Sequence, residues 1–355
     1  MAAMTFQDRQ IEEAGGAPEG ARGGMRTRWT IPTWGYMAML VLAAAIWGLG
    51  TVVIKDAVDE IPPVWLVGLR FLSAGVLLSA VLAPRMVRTL DAGHVKAGAV
   101  LGSFVALTYL FNTTGLAYTT ASNSSFLTAT YCVMVPFLAW WLMRKRPSRF
   151  NVGAGVLCLA GIALVALPAG GGFSVGLGDG LTLVSALFCG IHITLISKLS
   201  PGRDALVLTA LQFLVAGVIA CACAAFVQEP PSLAVLVDPD MLGSLAYLIV
   251  CATCATLALQ NVGLAHVDPA PASLMLSTEA VFGVVFSVVF LDEMLTVPML
   301  AGFALIFVAV LVSEWLPLRL AAKEGRAEAM RETVSEPAIA PAFASEGFQD
   351  EERVG

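Results

Sequence analysis

Charged residues are scarce in this chain. Asp, Glu, Lys and Arg make up 13% of its 355 residues, whereas a soluble protein carries about 25%. Hydrophobic residues make up 58%, and the mean hydropathy is +0.82. A water-soluble core of this size could not hide so much apolar surface. The composition therefore excludes an ordinary soluble domain and predicts a protein whose solvent is largely lipid.

Several chemical classes are disfavoured by what is missing. The chain contains no Gly-x-x-x-x-Gly-Lys-Ser/Thr sequence, so it is not expected to use ATP as its fuel. Its three histidines are scattered, and they offer no catalytic or metal-binding constellation. We therefore expect no enzymatic activity, no cofactor and no metal. Much of the acid behind the net charge of −6 lies in the two tails, and no nucleic-acid partner is expected.

The seven cysteines all fall inside apolar runs. Cys251 and Cys254 have the spacing of a redox or metal-binding pair, but no second pair and no set of histidines lies near them in sequence. Small packing residues are the favoured interpretation. No disulfide framework is predicted.

Ten apolar runs follow one another along the chain, each near the length of about 20 residues that crosses a hydrocarbon core. Lipid cannot satisfy backbone N–H and C=O groups, so unbroken runs predict helices rather than barrel strands. The predicted spans are 35–54, 64–83, 97–116, 122–142, 151–168, 180–199, 205–226, 241–261, 270–290 and 298–317.

The second half of the chain repeats the first. Leu69–Val76 reads LRFLSAGV and Leu211–Val218 reads LQFLVAGV, at an offset of 142 residues. Gly115–Ala117 and Gly263–Ala265 are identical at an offset of 148. A duplicated hydrophobic unit is typical of secondary transporters that rock one repeat against the other. The predicted fold is an all-α integral membrane protein of ten transmembrane helices in two inverted five-helix repeats.

Basic residues are concentrated in alternate connectors. The segments 85–96, 144–149 and 198–203 are basic, whereas the opposite connectors contain only Lys55, at a span end. The positive-inside rule therefore predicts that both termini are cytoplasmic. The predicted units are a cytoplasmic N-terminal tail 1–34, a first repeat 35–168, a second repeat 178–317 and a C-terminal cytoplasmic tail 318–355, amphipathic at its start and then disordered.

Short motifs recur in order along the membrane part. They are Trp47–Lys55 (WGLGTVVIK), Arg70–Ala74 (RFLSA), Val135–Pro136, Glu279–Val281 and Leu291–Thr296 (LDEMLT). Their order, together with the duplication, resembles the EamA family of the drug/metabolite transporter superfamily over about residues 35–317. The resemblance implies a ten-helix secondary transporter with a central cavity, commonly an exporter of amino acids or other small metabolites. It also implies the inner membrane of a bacterial cell.

Two positions depart from the pattern of that family. The family often has proline after the glutamate of the ninth span, where this chain has Ala280. It also often has an acid in the connector after the fourth span, where this chain has Arg144–Arg146. The first departure removes a proline that would break the helix near Glu279. The second adds basic residues to a predicted cytoplasmic connector and so strengthens the predicted orientation.

Two charged side chains lie well inside predicted spans, away from the span ends, where each costs about 2.5–3.5 kcal/mol. Glu279 lies near the middle of the ninth run. We expect it either to take up a proton and couple transport to a proton gradient, or to form a structural hydrogen bond. Arg70 lies in the second run, about 10 Å below the surface by helical rise, and is expected to bind a substrate carboxylate or pair with Glu279. Its repeat counterpart is the neutral Gln212.

The remaining candidates are polar or aromatic. Lys55 ends the first span, where snorkelling to the headgroups is the default interpretation and substrate binding the alternative. Asn112 and Gln260 are equivalent at an offset of 148, and either a cavity wall or helix–helix hydrogen bonding explains such a pair. The full set of candidate cavity residues is Trp47, Tyr109, Asn112, Tyr131, Gln260 and Asn261.

The sequence thus predicts a secondary carrier that exports small organic metabolites by alternating access. Its expected partners are the lipid bilayer, a small-molecule substrate and protons. A sugar-phosphate or nucleotide-sugar antiporter of the same fold is one alternative, and a single buried arginine argues against it. A non-transporting scaffold or sensor is the other, and it would need no buried charge at Arg70 and Glu279.

Overall fold

The computed structural model describes residues 32–144, 146–165, 176–264 and 269–335, and no strand occurs among them. The helices are α1 Thr33–Ala57, α2 Pro63–Val81, α3 Ala83–Thr89, α4 Ala92–Ala117, α5 Ala121–Ala129, α6 Tyr131–Met143, α7 Arg149–Val165, α8 Leu177–Leu199, α9 Ala205–Val227, α10 Leu233–Leu236, α11 Pro239–Ala246, the π-helical segment Tyr247–Ala255, α12 Thr256–Leu264, α13 Pro269–Leu291 and α14 Val297–Ser335.

Within these described ranges, six helical runs are long and apolar enough to cross a membrane. They are Trp34–Ala57, Pro63–Val81, Ala92–Ala117, Ala121–Met143, Leu177–Ile196 and Ala205–Val227. Shorter apolar helices overlap the other predicted runs, at Arg149–Val165, Pro239–Ala255, Met275–Leu291 and Val297–Ser313. The prediction of an all-helical, multi-pass membrane protein is confirmed, while the count of ten spans stays a prediction.

Polar caps fix where several helices begin. The Asp91 carboxylate accepts from the His94 backbone N–H at 2.7 Å at the start of α4. The Asp204 carboxylate accepts from two backbone N–H groups at the start of α9. The Thr120 hydroxyl accepts from the backbone N–H of Asn123 at the start of α5. Each cap satisfies donors that the first turn leaves unpaired. These caps set the helix ends at the two surfaces of the bundle.

Helices from the two halves of the chain pack in pairs. Helix α2 packs on α9, α7 on α14, α4 on α8, and α1 on α13. Gly75 and Gly217 make the α2–α9 contact close: a Cβ at Gly217 would lie 2.3 Å from the Leu72 backbone nitrogen, and one at Gly75 would lie 2.6 Å from that of Leu214. Small residues allow such close approach in membranes, where dispersion contacts drive helix association.

The first prediction concerns this contact. We expect Gly217→Ala to destabilise the protein by about 1–3 kcal/mol, because the added methyl group meets backbone atoms of α2 that cannot move aside. Thermal unfolding of the full chain in detergent should show a lower Tm. Gly153→Ala is the matched control, since nothing lies within 4 Å of its added Cβ. An equal Tm for the wild type and Gly217→Ala would contradict the close contact.

Helix α14 is longer than the predicted tenth span. It continues past Pro317 to Ser335, into the segment predicted as a C-terminal tail. Residues 318–335 are rich in Ala, Glu, Arg and Lys, which favour helix. At 1.5 Å per residue the whole helix is about 58 Å long, nearly twice the hydrocarbon thickness, so it extends beyond a bilayer. Residues 1–31 and 336–355 of the predicted tails lie outside the described residues.

Candidate functional site

Two of the candidate site residues, Tyr131 and Glu279, occupy equivalent positions in the two halves, and each follows a threonine. Thr130 and Tyr131 lie 148 residues before Thr278 and Glu279. Each threonine hydroxyl donates to the backbone carbonyl three residues earlier, at 2.6 Å in the first half and 2.5 Å in the second. In the first half, α5 ends here and α6 begins at Tyr131, whereas α13 is unbroken around Glu279. Tyr131 and Glu279 are therefore counterparts in local structure as well as in sequence.

Arg70 is 5% exposed and is held by α2 against the π-helical segment. Its Nε donates to the Thr253 hydroxyl at 2.9 Å, and its Nη2 donates to the Ala252 carbonyl at 3.3 Å. The guanidinium carbon lies 5.3 Å from the ring centroids of both Phe71 and Tyr109. Because arginine stays charged when buried, these hydrogen bonds and cation–π contacts offset part of the cost of removing it from water.

The π-helical segment Tyr247–Ala255 provides the anchor for this arginine. The Ala252 carbonyl accepts from three side-chain donors, namely Trp47 Nε1 at 2.9 Å, Arg70 Nη2 at 3.3 Å and Thr256 Oγ1 at 3.1 Å. Such widened turns are rare in proteins as a whole, and those that occur are often found at functional sites. The segment therefore joins Trp47 of the first span and Arg70 of the second at one backbone position.

Glu279 is half-buried on α13 and faces several other helices. It lies within electrostatic range of Arg70 on α2, Tyr109 on α4, Tyr131 on α6 and Cys189 on α8. Among the described residues, its carboxylate forms no hydrogen bond and no ion pair. Arg70 and Glu279 thus face a common region without being joined. A carboxylate in this position is able to accept a proton or a cationic group.

The amide candidates occupy different surroundings. Asn112 donates from Nδ2 to the Thr128 hydroxyl at 2.9 Å and so joins α4 to α5. Its repeat counterpart Gln260 is half-buried on α12, and the side chain of Asn261 lies outside the described residues. The side-chain oxygen Oε1 of Gln212, the counterpart of Arg70, lies 2.7 Å from His192 Nε2. The helix–helix interpretation fits Asn112, and the predicted cavity roles of these amides stay predictions.

Lys55 lies at the end of the bundle opposite Asp91. Its Nζ donates to the Leu116 carbonyl at 2.9 Å, at the C-terminal end of α4, and its predicted role in substrate binding stays a prediction. We call this end of the bundle, which carries a cavity of about 340 Å³, the acidic face. The cavity is lined by Lys55, Asp56, Asp59, Thr119, Thr120, Leu291 and Glu293.

The opposite end, which carries the connectors 82–91 and 200–204, is called the basic face. The buried His94 ring joins two of its elements: Nδ1 lies 2.7 Å from an Asp91 carboxylate oxygen, and Nε2 accepts from the Asp204 backbone N–H at 3.1 Å. Arg85 forms an ion pair with Asp204. Since Nε2 is an acceptor, the proton of the neutral ring belongs on Nδ1. The backbone N–H and the ring of His94 lower the pKa of the Asp91 carboxyl.

The second prediction follows from this carboxyl. A group whose pKa is lower in the folded state stabilises the fold above its unfolded pKa of about 4, and loses that effect as the pH falls through the folded pKa. We therefore expect Asp91→Asn to lower the Tm at pH 7, with a difference from the wild type that narrows below pH ~4. Glu229→Gln, which removes an exposed acid, is the control and should leave the Tm unchanged. A difference that does not vary with pH would exclude the charge as its cause.

Two features of this site are not predicted from the sequence, and only the second has a signal there. Thr253 and the Ala252 carbonyl lie in an uninterrupted apolar run, and no residue there signals a π-helix. The equivalence of Tyr131 and Glu279 was accessible, because the offset of 148 found elsewhere also relates these two positions. In the part of the chain that the structure describes, no group of three or more His, Cys, Asp or Glu residues could hold a metal ion.

Comparison with known proteins gives a consistent result. The model of the EamA-like transporter family matches twice, at residues 33–167 and 176–315. Two curated relatives from Archaeoglobus fulgidus are described as uncharacterized transporters. One is 31% identical over 273 residues, covering 77% of this chain and 83% of the relative. The other is 27% identical over 265 residues, covering 72% and 89%.

One solved structure, described only as the crystal structure of a protein, also resembles this chain. The TM-score is 0.57 at 16% sequence identity, and the match covers 81% of this chain and 99% of the other. A likeness at this identity shows a shared fold alone. The function must therefore be argued from the family and from the side chains of the site.

Proposed function

The chain belongs to the EamA-like transporter family, and from this premise we propose that it exports small organic metabolites, such as amino acids, by alternating access. The proposed location is the cell (inner) membrane, with both termini and the basic face toward the cytoplasm. Membership of a transporter family also argues for transport rather than catalysis. The substrate class rests on the side chains around Arg70 and Glu279.

The proposed architecture is ten spans in two inverted five-helix repeats. The two separate matches of the family model support a boundary between residues 167 and 176. The packing supports it as well: α2 and its counterpart α9 form one pair, and α7 and its counterpart α14 form another. A two-fold axis in the membrane plane would map each of these pairs onto itself.

The observation that carries the proposal is the placement of two opposite charges without an ion pair between them. Arg70 comes from the first half and Glu279 from the second, and Tyr109 interacts with both. A guanidinium has five N–H donors, and the two bonds to Thr253 and Ala252 leave others for a substrate carboxylate. Glu279 is then available for a proton or an ammonium group. One guanidinium compensates only one of the two charges of a dianionic phosphate, and the second charge would be buried without a partner.

The test is transport by the purified full chain in liposomes. Uptake of a panel of amino acids, other carboxylates and sugar phosphates would be followed with and without a pH difference, against protein-free liposomes. The proposal expects saturable uptake of one carboxylate class that is driven by the gradient. Preference for sugar phosphates would support the alternative antiporter. Absence of uptake across the panel by folded protein would overturn the proposed function.

A further inference from the structure

Glu293 joins two parts of the acidic face that are distant in sequence. It lies in the connector between α13 and α14, and its two carboxylate oxygens accept from the backbone N–H groups of Ala121 at 2.6 Å and Ser122 at 3.1 Å. These N–H groups belong to the first turn of α5, where the helix dipole favours a negative charge. The Ser122 hydroxyl lies 2.5 Å from the Ser287 hydroxyl of α13. We call Glu293, Ser287, Ala121 and Ser122 the latch.

The backbone places Glu293 for this contact. Asp292, which follows α13, has a φ of 51°, and this left-handed turn precedes the glutamate. Arg144, at the equivalent position 148 residues earlier, has a φ of 58° at the end of α6. The two halves therefore end equivalent helices with the same uncommon backbone turn. The residue that follows differs in type: it is glutamate in the second half and lysine in the first.

The basic face cannot form the same contact. At the offset of 148, the latch residues Glu293, Ala121, Ser122 and Ser287 correspond to Lys145, Pro269, Ala270 and Ala139. A lysine ammonium accepts no hydrogen bond, proline has no backbone N–H, and alanine has no hydroxyl. All three hydrogen bonds of the latch are therefore chemically impossible between the equivalent residues.

Other contacts between the halves occur at both faces. At the acidic face the Val64 backbone N–H donates to the Gln228 side-chain oxygen at 3.0 Å. At the basic face the Asp204 backbone N–H donates to His94. The α2–α9 side of the bundle is thus bonded at both ends. The two faces therefore differ at the latch, where α5 meets α13 and the connector that follows α13.

We infer that the latch holds the acidic face closed, and that its absence at the basic face makes the resting carrier open preferentially to the basic face. The inference rests on the proposed function, because it assumes alternation between two faces. Equivalent contacts would favour the two states of an inverted-repeat carrier equally, and a contact present in one state shifts the population toward that state. A carrier that rests open to the cytoplasm is ready to load substrate for export.

Hydrogen–deuterium exchange of the full chain in lipid nanodiscs tests this inference. In Glu293→Ala, exchange should rise about tenfold in peptides of the acidic face covering 118–122 and 292–296, since hydrogen bonds to a charged acceptor are lost. Exchange should fall in peptides covering 144–149, because the basic face closes more of the time. Glu293→Gln, which keeps one acceptor oxygen, should give a smaller change of the same pattern.

Two further variants keep the result interpretable. Ser287→Ala removes a latch bond without touching the cap of α5, and should reproduce the reciprocal change at smaller amplitude. Asp292→Asn removes the neighbouring charge and should change neither face. Increased exchange at 118–122 alone, with no decrease at 144–149, would show a local cap and overturn the inference.

Uptake measured on the same preparations separates the two proposals. Transport by the wild type, combined with a purely local exchange response in Glu293→Ala, would overturn the latch and leave the proposed function standing. A reciprocal exchange response in a protein that transports no substrate would support the latch and overturn the proposed function. The exchange readout needs no substrate, so neither failure hides the other.

Discussion

Glu279→Gln should abolish accumulation of substrate against a pH difference while leaving exchange of substrate for substrate measurable. A carrier that moves one proton per substrate accumulates substrate up to about tenfold for each pH unit, because one unit is worth about 1.4 kcal/mol. A glutamine carries no titratable proton, so the accumulation ratio should fall to about one. The measurement is the steady-state ratio of internal to external substrate in liposomes with a one-unit pH difference.

The placement of Glu279 is the reason for this expectation. Its carboxylate faces helices from both halves of the chain and forms no hydrogen bond or ion pair within the described ranges, so its protonation is not fixed by one structural partner. Arg70 lies within electrostatic range, and a change of charge at Glu279 alters the field at this guanidinium. Protonation and substrate binding are therefore coupled through Coulomb interaction at a site of low dielectric constant.

Tyr131→Phe is the matched control for this variant. Tyr131 is the repeat counterpart of Glu279, and its loss of a hydroxyl changes the polarity of the same region without removing a carboxyl. We expect slower uptake with the accumulation ratio intact. If Glu279→Gln accumulates substrate as well as the wild type does, the coupling role is contradicted. The structural interpretation of this carboxyl would then be the one that stands.

The sequence predicted much of this architecture because lipid imposes simple rules. Apolar length predicts where helices run, and each predicted span overlaps at least one described helix. Glu279 and Arg70 stood out because charge inside a span is costly. The sequence predicts that Arg70 either pairs with Glu279 or binds a substrate carboxylate, and the structure places the two residues within electrostatic range but without an ion pair.

Other features depend on tertiary contacts and had no local signal. The π-helix over Tyr247–Ala255 accommodates donors from α1 and α2, and its own residues resemble any apolar run. Glu293 was visible only as part of the LDEMLT motif. Its hydrogen bonds to Ala121 and Ser122 depend on the packing of α5 beside the end of α13, which no local sequence pattern indicates.

Arg70→Gln should raise the KM for carboxylate substrates by about 10- to 100-fold, because hydrogen bonds to charged groups contribute about 1.5–3 kcal/mol. The substitution installs the residue that the second half has at the equivalent position, Gln212, so the repeat already tolerates it there. A neutral analogue, such as the amide of the same substrate, should show a much smaller change. The measurement is the concentration dependence of uptake for both members of the pair.

Arg70 also supports the π-helical segment, and a second variant separates that role from substrate binding. Thr253→Val removes the acceptor for Nε and leaves the guanidinium of Arg70 itself present. If Arg70 binds the substrate carboxylate, Thr253→Val should change the KM only a few-fold and should not distinguish the acid from its amide. If Arg70 acts through the segment alone, Thr253→Val should reproduce much of the Arg70→Gln defect, and both variants should impair acid and amide equally. The ratio of the two KM values therefore decides between a binding arginine and a structural one, because only direct contact with the substrate distinguishes its charge.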